Sequence, residues 1–157
     1  MAGSMRIILS LMAIFALALF LTLLSCSSSV EPVGSSTLEP RSLWLKHATQ
    51  TYIIQQMRVC FCPGPHGFVR LTVVDNQIVE GVTADNGNSL TIEELKRYKT
   101  VDELFEFIDE LEGRKPAVFQ VEYDPDFGYP KNVYVDLHPE VVDEEIGFNT
   151  RLVQLFP

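Results

Sequence analysis

Eighteen consecutive residues, Ile7 to Leu24, carry no charge and only two hydroxyls. A run of that kind cannot alternate into a half-wet sheet or wind into a two-faced helix, so the fold must be built from the residues after Leu24. The first 25 residues hold 19 of the hydrophobic side chains, and the overall 46% hydrophobic content therefore overstates the remainder, at about 40%. The mean hydropathy of +0.12 is raised by the same segment. Only Arg6 of the 12 basic residues, and none of the 21 acidic ones, precedes Ser25, so the remainder carries a net charge of −10. That acidity argues against nucleic acid as a partner, because a phosphate backbone is bound through clustered Lys and Arg.

The segment 1–25 has the order of a secretory signal: one basic residue, an apolar core, then a small residue. At this length it also meets the lower limit for a spanning helix. Cys26 favours the first alternative, because Leu23-Leu24-Ser25-Cys26 resembles the bacterial lipobox, in which a lipid joins the Cys thiol and cleavage makes Cys26 the N-terminus. The alternative is an uncleaved helix with an incidental Cys at its end. Residues 26–40 are rich in Ser, Pro and Gly and lack apolar periodicity, as expected of a flexible tether. The expectation is a lipid anchor at Cys26 as the membrane contact, with the domain in the cell envelope on the non-cytoplasmic face.

Residues 41–157 then form one domain. A helix is expected from Leu43 to about Thr51 with Ser42 as N-cap, followed by an alternating strand from Tyr52 to Cys62. Phe68 to Val74 and Gln77 to Val82 flank Asp75-Asn76, two residue types that tolerate positive φ in a tight hairpin. Thr91 with Glu94, and Thr100 with Glu103, have capping-box spacing; the second opens a helix with Val101, Leu104, Phe105, Ile108 and Leu111 on one face, stopped at Gly113. Strands from Ala117 to Tyr123, Asn132 to Leu137 and Phe148 to Leu155 complete the chain. The order helix, strand, strand, strand thus occurs twice. It predicts an α+β fold: one antiparallel sheet of about six strands with two helices on one face.

Two groups could carry chemistry. Cys60-Phe61-Cys62 holds the thiols that remain if Cys26 is lipidated, and an exported compartment favours pairing them. Residues i and i+2 of a regular strand lie at the edge of disulfide reach, so a bond needs a bulge or strand end, which Pro63 makes credible. The alternatives are free, half-buried thiols, or a metal or redox site in which Cys60, Cys62 and His66 act as soft ligands. The second group is acidic: Asp124, Asp126, Asp136, Asp143, Glu144 and Glu145. Converging hairpin ends would make these a hard-oxygen cation site or an acid/base pair; otherwise they are turn formers and solvated charges. Phe127 and Tyr129, two aromatics in one tight loop, are candidates for contacting an envelope protein. No nucleophile elbow, phosphate-binding glycine loop or paired metal-binding histidines occur, so the sequence points away from an enzyme and implies no cofactor.

Taken in order, Trp44, Tyr52, Cys60-Phe61-Cys62, Thr100-Val101-Asp102-Glu103-Leu104-Phe105, Tyr123-Asp124-Pro125-Asp126-Phe127-Gly128-Tyr129-Pro130, Asp136 and Asp143-Glu144-Glu145 resemble a bacterial lipoprotein family, domain of unknown function 6174. The resemblance spans nearly the whole chain after the tether. It implies a secreted or lipid-anchored protein and supplies no catalytic residue.

Overall fold

A computed structural model describes residues 38–157; the expected signal segment, Cys26 and most of the tether lie outside the described residues. The elements, in chain order, are helix α1 (Leu38–His47), strands β1 (Thr51–Val59), β2 (Val69–Val74) and β3 (Gln77–Thr83), helices α2 (Ile92–Leu95) and α3 (Val101–Gly113), and strands β4 (Val118–Tyr123), β5 (Pro130–Asp136) and β6 (Ile146–Phe156). All six strands form one antiparallel sheet in the order β3-β2-β1-β6-β5-β4. Each trio is a meander, and the first strand of one pairs with the last strand of the other. The expected α+β architecture is therefore the observed one.

Alternation sorts the side chains onto two faces. Tyr52 and Ile54 of β1, Leu71 and Val73 of β2, Val133 and Val135 of β5 and Phe148 of β6 are buried under the helices. Trp44 of α1 and Val101 and Phe105 of α3 join the first of these groups in one apolar cluster, while Ile108 and Leu111 cover Val133 and Val135 in a second. The other face carries Gln55, Arg70, Thr72, Gln120, Glu122 and Arg151, as expected of a sheet with one wet side.

Both capping boxes form. Thr91 and Glu94 exchange side-chain and backbone hydrogen bonds at the start of α2, and Thr100 and Glu103 do so at the start of α3. Asp75 and Asn76 take φ of 49° and 58°, the left-handed pair a two-residue hairpin requires. Three helix ends differ from expectation, the first being the end of α1 at His47, with Thr51 already in β1. Helix α1 starts at Leu38, so Ser42 lies inside it; Pro40 fits because the first helical turn has no intrahelical partner for its missing N–H. Helix α3 does not stop by a left-handed Gly113, which stays helical; Lys115 takes the positive φ of 55°, and Pro116 follows.

A buried amide ties α3 to the sheet. Gln56, fully buried in β1, donates from Nε2 to the Lys99 carbonyl (3.1 Å) and to Thr150 Oγ1 (3.2 Å), and accepts the Lys99 N–H at Oε1 (2.9 Å). The Tyr52 hydroxyl accepts the Val101 N–H at 3.1 Å, satisfying one of the amides that a helix start leaves free.

Candidate functional site

The two ends of the sheet differ in chemistry. At one end lie the Asp75-Asn76 turn and the loop from Asp124 to Tyr129; at the other lie the loop from Cys60 to Gly67, which leaves β1, and the loop from Leu137 to Glu145, which enters β6. The nine residues of β1 separate the Asp75-Asn76 turn from the Cys60 to Gly67 loop by about 30 Å at about 3.4 Å per residue.

In the Asp124 to Tyr129 loop, expected as a partner surface, Tyr129 is buried and Phe127 half-buried, while Pro125 and Asp126 are exposed. Tyr129 is buried, its ring edge-on to Trp44 with centroids 6.4 Å apart, and its hydroxyl accepts the Leu152 N–H at 3.2 Å. Phe127 packs edge-to-face with His47. Gly128, at φ 78°, lets the loop fold onto α1 so closely that a Cβ there would lie 2.2 Å from the Pro40 carbonyl oxygen. Asp124 forms the turn: its Oδ1 accepts the N–H groups of Asp126 (3.0 Å) and Phe127 (2.9 Å).

The acidic residues do not converge. Tyr123 pairs with Pro130 at one end of the β4–β5 hairpin and Val118 with Asp136 at the other, so Asp124 and Asp126 are a strand length from Asp136, Asp143, Glu144 and Glu145. Asp143 is exposed at φ 71°, and Glu144 bonds His138 Nδ1 through Oε1 at 2.9 Å. Asp136 Oδ1 is buried without a hydrogen-bond partner among the described residues. Among the described residues no three His, Cys, Asp or Glu side chains are grouped to hold a metal ion.

The Cys60 to Gly67 loop is different. Strand β1 ends at Val59, and past that end the Cα atoms of Cys60 and Cys62 come within 5.3 Å and their sulfurs are joined in a disulfide. Bonded sulfurs cannot serve as thiolate ligands beside His66, because a metal ligand must be the thiolate. The intervening Phe61 is 84% exposed. Cys60, Phe61, Cys62, Pro63 and His66 line an open, mainly apolar depression.

Two guanidiniums brace this loop. Arg58 donates from Nη1 to the Pro63 carbonyl (3.1 Å) and from Nη2 to Cys62 Sγ (2.7 Å) and Cys60 Sγ (3.4 Å). Arg97, after α2, donates to the same carbonyl at 2.9 Å. Burial lowers the Arg58 pKa from its ordinary value; the nearby Tyr98 phenol opposes that shift and the second cation, Arg97, adds to it. Neither arginine has a salt bridge to a carboxylate among the described residues. Val141 and Val142, 51% and 81% exposed, lie on the neighbouring loop at this end.

Sequence alone held the disulfide as one of three alternatives for Cys60 and Cys62 and missed the arginines that brace it. Arg58 had a signal, since alternation puts it on the face of Cys60 two residues on. Arg97, 34 residues from Pro63, had none.

Residues 37–155 match the family model described as Family of unknown function (DUF6174). No curated protein and no solved structure gives a match.

Proposed function

The chain belongs to this family of unknown function, and on that premise we propose that it is a lipid-anchored cell-envelope protein of bacterial type whose domain binds an envelope protein through the Cys60 to Gly67 loop. The observation that carries this is Phe61: a large apolar ring held in solvent between two bonded cysteines on a loop fixed by two arginines. A rigid exposed aromatic is an efficient anchor, because little side-chain freedom is lost when it docks. Val141 and Val142 extend the apolar surface at the same end.

Helix α1 packs through Pro40 on Gly128, which leaves the Cys60 to Gly67 loop uncovered by that helix. Replacing Cys26 by Ser is expected to release the chain from the membrane fraction or block its processing; unchanged fractionation and mass would return the uncleaved-helix alternative. For the binding role, affinity purification of the full chain from envelopes is expected to retain a protein that Phe61→Ser and Val142→Ser lose and that Val79→Ser, at an exposed valine of the edge strand β3, keeps. Identical retention by all of these variants would overturn it.

A further inference from the structure

We propose that the Cys60–Cys62 disulfide is itself reactive, accepting two electrons from a pair of thiols on an exported protein by thiol–disulfide exchange. This rests on the Cys60 to Gly67 loop being the working surface of a non-cytoplasmic domain.

The bond does little for the fold. A sequence separation of 2 closes a minimal loop, so it removes little conformational freedom from the unfolded chain, and loop-closure stabilisation grows with loop length. It is also accessible: both cysteines are half-exposed and border the depression beside Phe61. Exposed disulfides with small structural return are the ones that exchange.

Arg58 supplies polarity to the reaction. Its Nη2 lies 2.7 Å from Cys62 Sγ and 3.4 Å from Cys60 Sγ, and it has no salt-bridged carboxylate among the described residues. A guanidinium so placed stabilises a thiolate on Cys62 more than one on Cys60, and the sulfur with the better-stabilised thiolate is the better leaving group. This sets the order of attack. A substrate thiolate attacks Cys60 Sγ, forming a mixed disulfide, while the Cys60–Cys62 bond breaks and its electron pair goes to Cys62 Sγ beside Arg58. The second substrate thiolate then attacks the substrate sulfur of the mixed disulfide and expels Cys60 as a thiolate, which takes a proton from water. The substrate leaves with its own disulfide, two electrons poorer, and Cys60 and Cys62 are left reduced. Phe61 gives an apolar substrate segment a surface to rest on during the first attack.

The test uses the full chain in detergent, equilibrated at pH 7 with reduced and oxidised glutathione, then quenched, alkylated and mapped by peptide mass so that Cys26 is counted separately. The expected result is a reversible equilibrium in which the two thiols form together, with Cys62 of the reduced chain alkylated roughly ten-fold faster than the glutathione thiol. Arg58→Gln should shift that equilibrium about ten-fold toward the disulfide, and Arg58→Lys should restore most of it. Should Arg58→Gln fail to fold, the wild-type alkylation rate still decides. A disulfide that opens only in denaturant, or a Cys62 no faster than glutathione, overturns the proposal. The Phe61→Ser chain separates the two ideas: glutathione exchange with no Phe61-dependent partner overturns the binding role alone, and a Phe61-dependent partner without exchange overturns this inference alone.

Discussion

Gln56 shows how one polar side chain can set the position of a helix. Its amide binds the Lys99 peptide from both sides, as a strand neighbour would, and Lys99 immediately precedes the Thr100 cap of α3. Gln56→Leu keeps the volume and leaves the Lys99 N–H and carbonyl without their partner, so stability should fall by about 2 kcal/mol, read from the urea midpoint at constant slope. Tyr52 and Tyr123 make a second prediction at this scale. Burial pushes both phenols up from 10.0 to about 12; Asp102 and Glu103 reinforce it at Tyr52, and Asp109 and Glu112 at Tyr123. The folded state therefore holds these protons more tightly than the unfolded chain does. Their contribution is complete below about pH 10 and is lost as pH rises toward about 12. Urea midpoints measured from pH 9 upward should fall over that window, and the fall should be shallower in Tyr52→Phe and Tyr123→Phe. An equal fall in all three chains would assign it to other groups.

At the scale of elements, strands and capped helices were legible because each is written locally. Alternation, the Asp75-Asn76 turn and the two Thr and Glu pairs need no distant residue to act. The packing of the Asp124 to Tyr129 loop was not legible for the opposite reason: Tyr129 packs on Trp44 and Phe127 on His47, both of α1 and more than seventy residues away, and nothing in the loop names them. Gly128 is the residue that joins the two. Gly128→Ala puts a Cβ against the Pro40 carbonyl and strains a positive φ, and should cost about 2 kcal/mol. Gly113→Ala meets nothing within 4 Å inside a helix, and should be neutral or stabilising by up to about 1 kcal/mol. Thermal or urea unfolding of the two variants side by side checks this, and equal costs would mean that the contact of the loop with α1 is not tight. The Arg41 to Asp109 ion pair between α1 and α3 spans 2.8 Å but is partly exposed on both sides, so it adds little beside Trp44.

For the molecule as a whole, the division of labour is between two ends of one sheet. One end is closed by α1 and the Gly128 loop, and the other carries Phe61, the disulfide and two arginines without carboxylate salt bridges among the described residues. Sequence composition foresaw an acidic domain, and Asp143, Glu144 and Glu145 do lie at this end, yet the fold gathers Arg58 with Arg97 at the Cys60 to Gly67 loop itself. The most direct test of which end works is photo-crosslinking in intact cells, with a photoreactive amino acid placed at position 61 in one full-length chain and at position 127 in another. An envelope-protein adduct from position 61 and none from position 127 is the predicted result. Adducts from position 127 alone, or from neither, would contradict the assignment of the disulfide loop as the binding end.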